Sequence, residues 1–335
     1  MTPVHVKKHG GRGLPLRVGT RGSPLALVQT RAFLAEISRF CPVMGPSVMS
    51  AGGVARPVFE EHQIRTTGDA VQDRALAEIG GKGLFSKEIH EALADGRIDF
   101  AVHSLKDLET FLPEGIVLAC TLKREDARDA LIFGPDCKAS VNGEVYGALP
   151  RNAVIGTSSV RRQAQLLHAR PDLSVALLRG NVQTRLTRTE RGDFGASLLA
   201  YAGLRRLGLE AHASQVLDPT EMVPSAGQGV VGVTVREADI ELRELLAGIE
   251  DAEARAVSTA ERSLLAVLDG SCRTPIGGYA QLLEDGSLLL TGLVARADGS
   301  FLLKAELRGD PKEAARIGAE LGTKLRRESP SDIFS

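Results

Sequence analysis

The sequence predicts an α/β protein of more than one domain, followed by a smaller α+β domain. Its length of 335 residues favours two or three domains. From residue 16 to about residue 249, short apolar runs typical of buried strands alternate with segments of helical periodicity. After Asp251 the pattern changes to a long helix, closely spaced strands and a closing helix, which indicates a small α+β domain.

The first strand is predicted at residues 16–20, and a helix is expected to follow because Ser23 can cap it and Pro24 suits its first position. Arg21 therefore falls between a strand end and a helix start. Further strands are expected at 58–65, 98–105 and 115–122, and the second of these leads directly into Lys106 and Asp107. Residues 1–15 are expected to form a disordered extension, 42–57 a surface loop rich in Pro, Gly and Ser, and 66–73 an irregular segment.

A strongly basic stretch runs from Gly156 to Arg188. It holds six arginines against one acid, Asp172, a local net charge of +5 (six minus one) in a chain whose net charge is -1. Strands are expected at 153–157 and 174–178, each followed by a helix that Ser158 or Ser159, and then Asn181, can cap. In open α/β sheets, ligands bind at the edge where the carboxyl ends of the strands meet the starts of the helices. Helix N-termini and guanidinium groups at this edge favour anions. The stretch thus predicts a pocket for a ligand with several anionic groups; a solvated basic helix face is the alternative.

Three other features leave alternatives open. The dense charge run 123–129 could be a domain hinge or a solvated turn. The carboxylate of Asp107 could stabilise a developing cation or form a loop salt bridge. Cys272, in a turn of small residues, could be a covalent attachment point, although a lone cysteine is more often a buried structural thiol.

Composition and motifs exclude several classes of protein. A net charge of -1, 4% aromatic residues and no Trp argue against a general nucleic-acid binder. The four cysteines have no zinc spacing and indicate free thiols in a reducing compartment. We expect neither a secretory signal nor a membrane span, because residues 1–20 lack an apolar core region and no apolar run approaches membrane length. The P-loop, nucleophile-elbow and dinucleotide-binding patterns all fail: Leu76 and Gly83 break the first, Val160 breaks the second, and no GxGxxG follows the first strand.

Nine short blocks between Arg17 and about Tyr279 together resemble the porphobilinogen deaminase family. They are RVGTRGSPLAL (17–27), GGKGLFSKE (80–88), AVHSLKD (101–107), KREDARDAL (123–131), IGTSSVRRQ (155–163), LRGNVQTRL (178–186), AGLRRLGL (202–209), PSAGQGVVG (224–232) and GSCRTPIGGYA (270–280). One block would be weak, but nine in family order are highly specific.

The resemblance implies a fold and a reaction. The fold consists of two α/β domains like those of periplasmic binding proteins and a small C-terminal α+β domain. The chain passes between the first two domains twice. The expected boundaries are 16–123 with 224–248 for the first domain, 124–223 for the second and 249–335 for the third, and the hinge is expected near 123–126 and 222–224. The reaction is a transferase reaction: four porphobilinogen units are condensed head to tail, with loss of ammonia, to linear hydroxymethylbilane in haem biosynthesis.

The resemblance also implies the site residues. Cys272 would carry a dipyrromethane cofactor through a thioether, and Asp107 would be the catalytic carboxylate. Contacts to the cofactor are implied for Lys106, Thr157, Ser158, Ser159, Arg161, Arg162, Arg185 and Gln228. Contacts to the substrate are implied for Arg21, Ser23, Lys82, Arg179 and Arg206. No metal is expected, and we expect a cytoplasmic monomer that binds porphobilinogen and neither nucleic acid nor membrane.

The chain departs from the family pattern at three places away from these positions. Glu109 stands where the family often has Pro, Gly195 replaces a common Asp, and the segment around 43–57 is longer than usual. A second hypothesis is a non-catalytic module that binds a polycarboxylate reversibly, and a third is a nucleic-acid binder that uses the arginine stretch. A covalent adduct on the isolated protein would distinguish the enzyme from the binding module.

Overall fold

A computed structural model describes residues 14–40, 47–49, 55–71, 83–137, 145–268 and 274–334. Its strands are β1 Leu16–Arg21, β2 Ser47–Met49, β3 Ala55–Pro57, β4 Phe59–Ile64, β5 Phe100–Ser104, β6 Ile116–Thr121, β7 Asp129–Phe133, β8 Val154–Gly156, β9 Ser174–Ala176, β10 Ala196–Ala200, β11 Gln215–Val216, β12 Val231–Arg236, β13 Ile276–Leu282, β14 Leu288–Ala295 and β15 Leu302–Gly309. Its α-helices are α1 Pro24–Phe40, α2 Thr67–Ala70, α3 Lys87–Ala94, α4 Val160–Ala169, α5 Val182–Glu190, α6 Tyr201–Arg206, α7 Ile240–Ala247, α8 Ala252–Leu268 and α9 Ala314–Glu328.

The first sheet has the strand order β4-β1-β5-β12-β6. β1 runs parallel to β4 and β5, whereas β12 is antiparallel to both of its neighbours. Its core packs Phe33 of α1 against Phe100 of β5, with ring centroids 5.6 Å apart, and Val233 of β12 joins the same cluster. The burial of β5 on both faces explains its nearly continuous apolar sequence.

The second sheet has the order β11-β7-β10-β8-β9. β8, β9 and β10 run parallel, and β7 lies antiparallel between β10 and β11. The chain enters this sheet after β6 and returns to the first sheet at β12, so it crosses between the two sheets twice. The predicted hinge segments around 123–126 and 222–224 fall inside these two crossings.

The third sheet is the meander β13-β14-β15, in which both pairs are antiparallel. α8 and α9 pack on it through a core that includes Leu264, Leu290 and Leu321. The predicted class, two α/β units with a double crossing and a small C-terminal α+β unit, is therefore confirmed.

Some expectations about segments need correction. Residues 42–57 were expected to be a loop, but β2 and β3 within them form an antiparallel pair. Residues 66–73 were expected to be irregular, yet they contain α2. The predicted disordered extension lies outside the described residues except for Leu14 and Pro15.

Candidate functional site

A cavity of about 800 Å³ lies at the carboxyl ends of β1, β4 and β5 in the first sheet and of β8, β9 and β10 in the second. Ligand sites of α/β proteins are found at such strand ends. The cavity collects most of the side chains that the sequence singled out. Those that line it are Arg21, Ser23, Lys106, Asp107, Ser158, Ser159, Arg161, Arg162, Arg179, Arg185 and Gln228.

Asp107 and Lys106 reach the cavity because β5 ends in a 3₁₀ turn, Leu105–Asp107. The Asp107 side chain is 29% exposed, and its Oδ2 lies 3.2 Å from Nη1 of Arg21. Lys106 Nζ donates a hydrogen bond to Gln228 Oε1 at 3.1 Å. Burial, together with the nearby positive charge of Arg162, lowers the pKa of Lys106 to about 8.

Arg21 is fixed from three sides. Its Nε and Nη2 donate to the two carboxylate oxygens of Asp69, the former at 3.2 Å, and its Nη1 faces Asp107. The Phe85 ring centroid lies 4.2 Å from its Cζ, in cation–π range. Asp69 is placed by α2, which directly follows the end of β4, the parallel neighbour of β1.

A buried carboxylate, Asp129, organises the second side of the cavity. Its Oδ2 lies 2.7 Å from Arg161 Nη1 and its Oδ1 lies 2.7 Å from Arg162 Nη2. Gln228 Nε2 also donates to Oδ1 at 2.9 Å. Burial opposes ionisation of Asp129, but the two guanidinium groups outweigh it and hold the pKa of this carboxyl well below its usual value. One acid therefore offsets two arginines, and the trio keeps a net charge of +1.

Not all arginines of the basic stretch are therefore available to bind a ligand in the cavity. Arg170 forms a fork with Asp172, and Arg188 pairs with Asp193 at 2.9 Å; neither arginine lines the cavity. Arg179 and Arg185 do line it. Burial, together with repulsion from Arg162 and Arg179, lowers the pKa of Arg185 to about 10, so this guanidinium is charged at neutral pH and would gain from an anionic neighbour.

The expected helix caps form. Ser159 Oγ accepts from Arg162 N at 3.4 Å at the start of α4, and Asn181 Oδ1 accepts from Thr184 N at 2.9 Å at the start of α5. Ser23 Oγ accepts from Ala26 N at 3.3 Å in α1. These caps turn three helix N-termini, which carry positive dipole ends, toward the cavity.

Four predicted site residues are not part of the cavity wall as described. Thr157 is buried, and its Oγ1 accepts from Ser159 N at 3.1 Å, so it supports the wall from behind. Arg206 donates through Nη2 to the carbonyl of Gly229 at 2.7 Å. Lys82 and Cys272 lie outside the described residues.

Sequence reasoning missed two acids. Asp129 was included in a charge run that was interpreted as a hinge or a solvated turn, yet its side chain is fully buried. Its position at the start of an apolar strand was the available clue. Asp69 was placed in a segment expected to be irregular; its clue was that it follows the strand that ends beside Arg21.

The described ranges contain neither a metal-binding cluster nor a membrane-spanning helix. No group of three or more His, Cys, Asp or Glu side chains there could hold a metal ion. Within the same ranges, no helix combines the length and the apolar character that a membrane span needs.

Comparisons with known proteins identify the family of the chain. The family model "porphobilinogen deaminase, dipyromethane cofactor binding domain" matches residues 16–244, and that family's C-terminal domain model matches residues 256–327. A porphobilinogen deaminase of Paracoccus denitrificans is 46% identical over 96% of each chain. A chloroplastic porphobilinogen deaminase of Oryza sativa is 41% identical over 95% of this chain and 85% of that one.

Among solved structures, an arginine periplasmic binding protein from Legionella pneumophila resembles the chain with 12% identity and a TM-score of 0.38, over 71% of this chain and 92% of that one. A likeness at this score supports no conclusion, and the fold assignment rests on the strand order of this chain. The sequence matches, by contrast, cover nearly the whole chain at high identity. The chain therefore belongs to the porphobilinogen deaminase (hydroxymethylbilane synthase) family, the transferases that use a dipyrromethane cofactor to polymerise porphobilinogen to hydroxymethylbilane in tetrapyrrole synthesis.

Proposed function

We propose that the dipyrromethane cofactor is held by a thioether to Cys272 and that Asp107 is the carboxylate that assists each condensation. The first part is supported by the position of the cysteine in the chain. It falls between Leu268, where α8 ends, and β13, whose first residue Ile276 lines the cavity. Ile276 is only four residues after Cys272 in the sequence, which is compatible with attachment of the cofactor at this cavity.

The donor set of the cavity suits the cofactor. Each pyrrole ring of the cofactor carries an acetate and a propionate, so two rings bring four carboxylates. The cavity offers guanidinium, ammonium and hydroxyl donors, and Arg185 forms no ion pair among the described residues. Guanidinium groups bind carboxylates through two parallel hydrogen bonds. Each terminal nitrogen of Arg161 and Arg162 carries two hydrogens, so their pairing with Asp129 leaves donors for a ligand.

We divide the binding residues into two sets. The cofactor would be bound by Lys106, Arg161, Arg162, Arg185, Ser158, Ser159 and Gln228, with Thr157 behind them. The incoming porphobilinogen would be bound by Arg21, Ser23, Arg179, Arg206 and Lys82. The cofactor supplies the primer that is extended, and the residues of the chain orient the rings and exclude water between them.

Asp107 is proposed to act electrostatically. Loss of ammonia from a pyrrole places positive character on its ring nitrogen. A fixed carboxylate beside that N–H stabilises the charge as it develops, and such a preorganised group contributes on the order of 3–4 kcal/mol to lowering a barrier. Asp107 is suited to this role because it is 29% exposed at the cavity while Arg21 holds it in place.

Mutation of Asp107 tests its role. We expect Asp107→Asn to fold normally and to lose turnover by about a hundredfold or more, since the amide keeps the shape but removes the charge. Single-turnover and steady-state rates of bilane formation would measure this. A variant with wild-type rates would remove Asp107 from the mechanism.

The attachment site is tested by the intact mass of the purified protein. The wild-type chain should carry the added mass of a dipyrromethane, and Cys272→Ser should not. Cys137→Ser is the control, because Cys137 is a free and partly exposed thiol, and this variant should keep the adduct. A wild-type mass equal to that of the amino acids alone would contradict the proposal.

We also propose the domain division 16–123 with 224–248, 124–223 and 249–335. It is supported by separate apolar cores under the three sheets. We further infer that the enzyme acts as a monomer in the cytoplasm, without nucleic acid. Sedimentation of the holoenzyme at micromolar concentration would test the monomer.

A further inference from the structure

The ion pair of Arg21 with Asp69 has no assigned function. Asp69 occupies the Nε and Nη2 atoms of Arg21, the two donors that would otherwise bind a substrate carboxylate as a fork. What remains directed into the site is Nη1, which lies 3.2 Å from Asp107 Oδ2 and has a second hydrogen for a substrate oxygen. Arg21 therefore bridges two carboxylates, of which only Asp107 has a proposed role in the reaction.

Asp69 is itself held in place. Thr66, which is 1% exposed, donates its Oγ1 to Asp69 Oδ2 at 2.8 Å, and the Asp69 amide donates to Thr66 O at 3.0 Å. Because β4 and β1 are parallel with Ile64 opposite Arg21, the two strands deliver the acid and the arginine to the same edge of the sheet. The Phe85 ring blocks a third direction of movement. The guanidinium thus has one well-defined orientation.

We propose that Asp69 is a positioning residue for the condensation: by holding the fork of Arg21, it fixes the nitrogen that orients Asp107. This inference rests on the proposed role of Asp107. Without Asp69, Arg21 is free to turn its fork onto Asp107. That would move the catalytic carboxylate and neutralise the charge that the ring nitrogen needs.

The chain contains a matched control pair. Arg170 and Asp172 form the same two-bonded fork, at 2.7 and 2.8 Å, and their side chains are 23% and 26% exposed. The corresponding values for Arg21 and Asp69 are 20% and 25%. The control pair lies outside the cavity wall. If Asp69 only stabilised the fold, its loss and that of Asp172 would have similar effects.

The experiment compares kcat and KM for Asp69→Asn, Asp69→Glu and Asp172→Asn on protein whose intact mass shows the adduct. We expect Asp69→Asn to lower kcat about tenfold or more with little change in KM, since the lost interaction acts on the reacting state. Asp69→Glu should recover part of the rate, and Asp172→Asn should leave kcat unchanged. A wild-type kcat in Asp69→Asn, or a loss confined to KM, would overturn the inference.

A double substitution tests whether Asp69 acts through Arg21. If it does, adding Asp69→Asn to Arg21→Lys should lower kcat by less than about twofold beyond Arg21→Lys alone, whereas independent effects would multiply and contradict the inference. If Asp69→Asn does not fold, Thr66→Val serves instead, because it removes one hydrogen bond to the same carboxylate. We expect this variant to have a lower kcat and an unchanged KM. An unchanged kcat would contradict the inference.

The outcomes separate this inference from the proposed function. An inactive Asp107→Asn beside a fully active Asp69→Asn would refute the role of Asp69 alone. An active Asp107→Asn would refute the proposed role of Asp107, on which both depend.

Discussion

At the scale of single residues, Lys106 shows how the cavity is prepared for anions. Burial and the positive charges of Arg162 and Arg161 disfavour its ammonium form, and the negative charges of Asp107 and Asp129 compensate in part. The protonated form of Lys106 is therefore destabilised in the free cavity, and carboxylates of a bound ligand would stabilise it. Binding and protonation of Lys106 should accordingly be coupled.

This coupling gives a pH prediction. The pKa of Lys106 is lowered to about 8 in the free protein, and a bound carboxylate raises it again. Affinity for an anionic ligand should thus be constant well below pH 8 and weaken as the pH rises above it, because the free lysine is then neutral. Calorimetric titration of porphobilinogen into Cys272→Ser between pH 7 and pH 9 would measure the trend.

The matched variant is Lys106→Gln in the same Cys272→Ser background. It should bind more weakly at pH 7 and lose the decline in affinity between pH 7 and pH 9. A decline that persists in this variant would assign the pH dependence to another group.

The residue scale also shows what the sequence could and could not reveal. Motif positions identified Asp107 and the arginines of the basic stretch and of β1 that line the cavity, because the family resemblance is carried by short local blocks of sequence. The partners Asp129 and Asp69 were missed because ion pairing across the fold depends on contacts between residues far apart in the chain. Arg162 and Asp129 are 33 positions apart, and Arg21 and Asp69 are 48 apart.

At the scale of elements, α3 carries an unusual buried histidine. His90 is 2% exposed, and neither ring nitrogen has a hydrogen-bond partner among the described residues. Its Nδ1 lies 4.0 Å from Glu109 Oε1, and its ring centroid lies 5.6 Å from that of His103. Burial lowers the pKa of His90 to about 4, so the folded state keeps this ring neutral.

The stability of the protein should therefore fall in acid. An unfolded His90 takes up a proton near pH 6.5, whereas the folded one does so only near pH 4, so protons favour unfolding between these values. At pH 5 this coupling is on the order of 2 kcal/mol. We expect His90→Leu to show a smaller fall in melting temperature between pH 7 and pH 5 than the wild type.

An exposed histidine provides the control for this effect. His212 has a 40% exposed side chain, and His212→Gln should reproduce the wild-type difference between the two pH values. An equal fall in His90→Leu and wild type would show that the buried ring does not contribute.

Strand and helix positions were largely predictable from the sequence. The start of α1 at Pro24 and the caps at Ser159 and Asn181 follow from local preferences, which act within a few residues. The pairing of β2 with β3 was missed, since Pro, Gly and Ser around them favour a loop. The two crossings between sheets came from the family resemblance, as strand order is set by contacts that periodicity does not encode.

At the scale of the whole molecule, Arg124 and Glu261 connect both crossings to the third sheet. Arg124 Nη1 lies 2.6 Å from Glu261 Oε1, and Nε donates to the carbonyl of Gln228 at 2.9 Å. Glu261 is fully buried and also accepts from the amides of Gly227 and Ala280. Burial raises the pKa of Glu261, with Arg124 opposing that shift.

Removal of this carboxylate should be strongly destabilising. Glu261→Ala leaves a half-buried guanidinium and two amides without their acceptor, a loss of about 3–5 kcal/mol. We expect the melting temperature to fall by about 5 °C or more. Calorimetric scans of the holoenzyme would measure the change.

A surface pair on α9 serves as the comparison. Arg316 and Glu320 are 2.8 Å apart, and both side chains are more than half exposed. Glu320→Ala should alter the free energy of unfolding by less than about 1 kcal/mol. If Glu261→Ala and Glu320→Ala had equal effects, the buried contacts of Glu261 would not contribute to stability.

The position of β12 has a consequence for how the protein is made. This strand lies between β5 and β6, although more than a hundred residues separate it from either in the chain. While only the amino-terminal part of the chain has left the ribosome, β6 therefore has no neighbouring strand to pair with. Until residue 236 has been synthesised, the unpaired edge of β6 can pair with other chains and aggregate. We therefore expect chaperones to bind the incomplete first sheet during synthesis.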